Sequence, residues 1–188
     1  MISEQINGLV DNELIIRILE GSCSECFRVL YDRYYKKVLD KCYSMVKDRV
    51  TAEVLTEDIF SKVFEKLQSF GQRSSFSSWL YSVTYNHCID FLREKKLLHY
   101  PDWNRENEIP EIIDDTEEIS QEINYGNLMK IMEQIHPEEK ALLLMKYQDN
   151  LSIKQISSAL RISEAAAKMR LKRAKTRVIY LYTNKYIN

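Results

Sequence analysis

Residues 101–125 hold nine carboxylates and one cation, a net charge of −8. Like charges at this density repel, and too few apolar side chains lie among them to close a core. Two of the three prolines fall in the same block. It therefore reads as an extended acidic linker, and it divides the chain into two parts that must each build a core of their own. Residues 1–100 carry 14 basic and 14 acidic side chains, whereas residues 126–188 carry 12 basic and 5 acidic, net +7. The overall charge of −1 conceals this segregation.

Both flanking parts read as all-α. The 188 residues include only 4 glycines and 3 prolines, too little punctuation for the turns of a β-sandwich or barrel. The glycines are isolated, so no glycine-built phosphate cradle exists, and three scattered histidines form no H-E-x-x-H. Nucleophile, base and oxyanion donors do not assemble from these motifs. The composition points to binding, with no catalytic residues, no metal site and no cofactor expected. The N-terminus lacks a basic leader followed by an apolar run, and no continuous apolar stretch reaches the roughly 18 residues of a membrane span. A cytoplasmic protein without membrane insertion is expected. Its cysteines should then be reduced, with Cys23 and Cys26 as ordinary half-buried helix residues, since one C-x-x-C without partner ligands does not complete a zinc set.

In the first part, residues 10–98, apolar spacing predicts four helices. Asp11 caps a short one carrying Leu14, Ile15, Ile18 and Leu19. A second, over residues 24–47, places Phe27, Leu30, Tyr31, Tyr34, Val38, Cys42 and Met45 on one face. Thr51 caps the third, in which Leu55, Ile59 and Val63 lie inward while Glu53, Glu57, Asp58 and Glu65 make an acidic outer side. The fourth runs from Phe76 to about Leu97. Its aromatics, with Asn86, Arg93, Lys95 and Lys96, suit core packing and also suit single-stranded nucleic acid, where bases stack and phosphates need cations. The pattern alone leaves both open.

The second part, residues 126–185, is more specific. Leu128, Ile131, Met132 and Ile135 line one helix, and Pro137 sits at the first position of the next. Ser152 caps a helix of about two turns, and a short break leads to Ser163, the cap of a long final helix. A tight turn between such helices is the helix-turn-helix pattern. At about 100° per residue, Leu171, Ala174, Val178 and Leu181 cluster around Ala167, while Lys168, Lys172, Arg173, Lys175 and Arg177 point elsewhere. Residues 161–177 hold seven basic side chains against one acid, Glu164. A capped basic helix in second position favours duplex DNA.

Together the two parts resemble a bacterial RNA polymerase sigma factor of the extracytoplasmic-function type, in the sigma-70 family. The resemblance rests first on Phe27, Leu30, Tyr31, Tyr34, Tyr35, Ala52, Glu53 and the run Glu57-Asp58-Ile59-Phe60. Phe70, Ser74, Phe76, Trp79-Leu80-Tyr81, Asn86 and Asp90-Phe91-Leu92-Arg93 follow in the family's order. In the second part it rests on Pro137-Glu138-Glu139, Tyr147, Leu151-Ser152, Ile156, Ile162-Ser163-Glu164 and the run from Lys168 to Ala174.

The resemblance implies a sigma region 2 bundle over residues 10–98, a linker over 99–125 and a region 4 helix-turn-helix domain over 126–185. Glu53, Glu57, Asp58 and Phe60 would dock on core RNA polymerase. Gln72, Arg73, Ser74, Phe76, Asn86, Arg93 and Lys96 would hold the unpaired −10 strand of promoter DNA. Ser163, Glu164, Ala166, Lys168, Arg170, Lys172 and Arg173 would enter the major groove of the −35 element. An anti-sigma factor is the implied inhibitory partner, and the free protein would be a monomer. Arg161 stands where the family has a turn glycine. The residues by themselves also fit a stand-alone helix-turn-helix regulator with an N-terminal sensing bundle.

Overall fold

A computed structural model describes residues 6–71, 74–95 and 123–187. No strand occurs among the described residues. The chain divides into two compact units, residues 1–91 and 92–188. The elements are α1 (Asp11–Leu19), α2 (Cys26–Val46), α3 (Arg49–Lys66) with a 3-10 turn over Leu67–Phe70, and α4 (Phe76–Glu94), whose last turn runs past that division. Then come α5 (Tyr125–Met132), α6 (Pro137–Leu143) with a wide turn over Leu144–Gln148, α7 (Ile153–Leu160) and α8 (Glu164–Tyr186).

In the first unit α1 and α3 both pack on α2. Leu14, Ile15, Leu30, Val38, Ile59, Val63 and Leu80 are buried to 2% exposure or less, each a side chain whose full burial stabilises by about 1.5–3 kcal/mol. Polar groups inside this core have partners. Thr56 and Thr84 donate their hydroxyls to the carbonyls of Ala52 and Leu80, at 2.7 and 2.9 Å. The Lys41 ammonium lies 4.2 Å from the centre of the Tyr81 ring, where the ring face offsets part of its desolvation.

Helix starts differ from the predicted caps. Asp11 is the first residue of α1, not its cap; Val10 holds that place, and its N–H donates to the Glu13 carboxylate at 3.2 Å. Asp11 instead pins α1 to α2, accepting from Arg33 and, at 2.5 Å, from the Tyr34 hydroxyl. Asp48 rather than Thr51 caps α3, accepting from the Thr51 N–H at 2.7 Å; hydrogen bonding from the Thr51 hydroxyl, and then from this N–H, holds its carboxyl below the usual carboxylate range. An Asp three residues upstream satisfies an orphan donor that Thr51, already inside the helix, cannot reach. Ser75 takes the same role for α4, accepting from the Ser78 N–H at 3.2 Å.

The expected reduced pair is also corrected. Cys23 lies in the loop before α2, Cys26 is the first residue of α2, and their sulfurs form a disulfide. Cys42 and Cys88, buried inside the unit, are free thiols, with the Cys88 Sγ donating to the Cys42 Sγ at 3.7 Å. That bond lowers the Cys42 thiol's pKa and raises that of Cys88.

In the second unit α5, α6 and α7 each pack on α8. Ile131, Ala141, Leu142, Met145, Leu151, Ile156, Ala167 and Ala174 are at 1% exposure or less. Asn124 caps α5 through the Asn127 N–H, and its own N–H donates to the Tyr182 hydroxyl of α8 at 2.9 Å. His136 caps α6, with Pro137 at the first position, where a missing N–H costs nothing.

Candidate polymerase and nucleic-acid interfaces

The second unit builds its site from two capped helices and the turn between them. The Ser152 hydroxyl accepts from the Gln155 N–H at 3.2 Å, and the Gln155 side chain accepts from the Ser152 N–H at 2.8 Å, a reciprocal capping box for α7. Arg161 ends α7 in the left-handed region, φ 55° and ψ 43°. Its N–H donates to Ser158 and the N–H of Ile162 to Ser157, at 3.3 and 3.0 Å. This is the Schellman arrangement, closed by an arginine where glycine is the usual residue. Ser163 follows at once and caps α8 through the Ala166 N–H at 3.1 Å.

The turn sets the rotation of α8. Ala167, Leu171 and Ala174 are buried, and Glu164, Ala165, Lys168, Met169, Arg170, Lys172, Arg173 and Lys175 are exposed. Ala166 is half-buried. The residues expected to enter a major groove, all but the half-buried Ala166, are therefore exposed along this capped helix. Arg170 Nη1 stands 3.7 Å from Glu138 Oε2 of α6. Arg177, grouped in sequence with the outer cations, is instead buried at 7% and ion-paired with Glu139. At 100° per residue it lies on the flank, where α6 supplies a carboxylate. A buried cation requires such a partner.

In the first unit α3 presents the acidic side. Glu57 is exposed and accepts from the Tyr31 hydroxyl at 2.8 Å; burial and this carboxylate push the hydroxyl's pKa up to about 12. Glu53 is paired with Arg49 at 2.6 Å, and Asp58 is exposed, 3.9 Å from His87 Nε2. Phe60 departs from its expected place. It is 3% exposed, packed on Tyr31 at 4.7 Å between ring centres, and offers nothing to a partner. Val50, Val54 and Phe64 are the exposed apolar residues of α3, at 69%, 56% and 57%. Sequence reading missed them, although their spacing of four and ten residues puts them on one helical side with Glu57, out of phase with the core residues Leu55, Ile59 and Val63.

The residues expected on the −10 strand are spread. Gln72, Arg73 and Lys96 lie outside the described residues. Gly71 holds φ 59° at the start of the loop, a backbone that favours glycine. Ser74 is half-buried. Phe76 is 1% exposed, ringed by Tyr34, Phe70 and Trp79 at 5.4, 5.9 and 6.0 Å, so it has no open face for a base. Asn86 is half-buried with its amide 3.4 Å from Asp90 Oδ2, and Arg93 is exposed in the last turn of α4.

Comparison with known proteins agrees with this layout. The family model for Sigma-70 region 2 matches residues 30–97, and the model for Sigma-70, region 4 matches residues 125–178. The chain is 26% identical to the ECF RNA polymerase sigma factor SigX of Bacillus subtilis, over 77% of each chain. It is 25% identical to SigW of the same organism, over 85% of this chain and 90% of SigW. Among solved structures, CnrH in complex with the cytosolic domain of CnrY aligns with a TM-score of 0.62 at 15% identity, covering 93% of this chain and 98% of that one. RpoE in complex with the anti-sigma factor NepR from Bartonella quintana aligns at 0.59 and 15% identity, covering 86% and 99%.

The two units thus define a sigma factor, a protein that directs RNA polymerase to promoters. The chain belongs to the sigma-70 family and is of the ECF type. A stand-alone helix-turn-helix regulator is disfavoured, because such a protein has no use for a region 2.

Proposed function

We propose that this sigma factor docks on core RNA polymerase through the outer side of α3 and reads the −35 duplex with the outer side of α8. The observation that carries the reading is the division of α8 into a buried seam and an exposed cationic side directly after the Ser163 cap. A capped N-terminus brings backbone N–H groups and the positive end of the helix dipole to a phosphate, while Lys168, Arg170, Lys172 and Arg173 supply cations. Glu53, Glu57 and Asp58 form the acidic part of the polymerase face, joined by Val54 and Phe64 as its apolar part. The loop before α4, with Asn86 and Arg93, contacts the unpaired −10 strand. In this reading the two functional parts span residues 10–98 and 126–185, and the acidic residues between them serve as a polyanionic tether.

The protein performs no bond chemistry of its own in this scheme and works in the cytoplasm as a monomer when free. Among the described residues no helix is long and apolar enough to cross a membrane. The RpoE structure holds a bound anti-sigma factor, which supports a partner of that class here.

Core polymerase reconstituted with the full chain should initiate from a cognate promoter. Lys168→Ala and Arg170→Ala should each weaken −35-dependent initiation, and loss of one phosphate contact lowers the salt slope of DNA affinity by roughly 0.9. Failure of the chain to associate with core polymerase at low salt would overturn the reading.

A further inference from the structure

The disulfide at the head of α2 belongs to none of the three proposed interfaces. Cys26 is fully buried as the first residue of a 21-residue helix, whereas Cys23, in the loop that enters it, is half-buried and within reach of solvent. The loop starts from Gly21 at φ 68°, with the Ser22 N–H and hydroxyl both donating to the Arg17 carbonyl at 3.0 and 3.1 Å. A half-open sulfur bonded to a buried one at a helix N-terminus is suited to exchange: the open sulfur takes the attack, and the helix dipole stabilises the thiolate that leaves.

We propose that Cys23–Cys26 is a thiol–disulfide exchange site whose redox state is felt on the outer side of α3. A dithiol reductant, of small-molecule or protein type, attacks through one thiolate at Cys23 Sγ. A mixed disulfide forms, the Cys23–Cys26 bond breaks, and its electron pair leaves on Cys26 as a thiolate. The reductant's second thiolate then attacks its own sulfur in the mixed disulfide, releasing the Cys23 thiolate and closing the reductant into a disulfide. Both protein thiolates take protons from water. Two electrons pass from reductant to protein, and oxidation by a disulfide runs the same steps in reverse.

The route to α3 is short. Phe27, next to Cys26, meets the exposed Phe64 of α3 edge-on at 4.9 Å between ring centres. One turn further along α2, the Tyr31 hydroxyl holds Glu57. Opening the disulfide releases the entry loop from the first turn of α2 and loosens the two contacts that position the apolar and acidic parts of that side. Only the consequence for polymerase binding rests on the docking role proposed above.

The test uses the full chain. Dithiothreitol under native conditions, followed by alkylation and peptide mass mapping, should label Cys23 and Cys26 and leave Cys42 and Cys88 unlabelled. Oxidised glutathione should restore the bond, and Cys26→Ser should accumulate a glutathione adduct on Cys23. Amide hydrogen exchange of residues 26–31 and 57–64 should quicken at least threefold on reduction, and core polymerase affinity should fall severalfold. Failure of the wild-type pair to open or re-form under native conditions overturns the exchange site, whatever the stability of the Cys26→Ser chain. Unchanged hydrogen exchange at residues 57–64 overturns the coupling. If neither redox state binds core polymerase, the docking role falls, while the thiol and hydrogen-exchange measurements still decide this proposal.

Discussion

The N–H of Ile162 reaches back to the carbonyl of Ser157 at 3.0 Å, and this bond turns the chain from α7 into α8. It forms because Arg161 between them is left-handed. An L side chain in that conformation costs about 1–2 kcal/mol, and Arg161 is exposed, so no packing offsets the cost. Arg161→Gly should stabilise the helix-turn-helix by about 0.5–1 kcal/mol, since glycine's greater unfolded-state freedom cancels part of the relief. Denaturant unfolding of the full chain measures this. The same variant loses a cation beside the turn, so its affinity for promoter duplex should fall while its stability rises.

Ser163 separates capping from charge. Ser163→Ala removes the acceptor for the Ala166 N–H and should cost about 1 kcal/mol, with faster hydrogen exchange in the first turn of α8. Ser163→Asp keeps the cap but sets a carboxylate where a DNA phosphate is expected. It should preserve stability and lower duplex affinity more than Ser163→Ala does, a difference that a fluorescence-anisotropy titration resolves.

Two phenylalanines four residues apart on α3 should behave oppositely. Phe60 is buried on Tyr31, so Phe60→Ala opens a cavity and should destabilise the bundle by about 3–5 kcal/mol. Phe64 is largely exposed, so Phe64→Ala should cost under about 1.5 kcal/mol. Its effect should appear as weaker association with core polymerase.

His136 gives a pH dependence of known sign. Its Nδ1 accepts from the Glu138 N–H at 3.2 Å, which requires an unprotonated ring nitrogen. Burial lowers its pKa below the usual histidine value, while Glu138 and Glu139 pull it back up and Arg177 pushes it down. The unfolded chain then binds more protons than the folded one between the lowered pKa and about 6.5. This contribution is complete above about pH 6.5 and declines as pH falls through the folded value. His136→Asn keeps a capping oxygen without the titration. Its stability should vary less than the wild type's between pH 7 and pH 5, as read by thermal unfolding.

Much of this protein was legible from local chemistry. Helical periodicity does not depend on neighbours far away in sequence, so the seam Ala167, Leu171 and Ala174 could be read directly, as could the caps Ser152 and Ser163 and the scarcity of glycine that excludes sheets. Charge is equally local, and it marked the acidic block between the two helical parts.

Tertiary structure decided what depends on a second element. Whether Phe60 or Phe64 faces outward follows from where Tyr31 of α2 lies, and Phe76 is closed off by rings from α2 and from the turn after α3. Arg177 looks like one more surface cation until Glu139 of α6 is placed beside it. Asp11 has the composition of a cap, yet Arg33 and Tyr34 draw it away as an anchor. A side chain with two available roles takes the one whose partner the fold brings within reach, and a linear pattern holds no record of that distance.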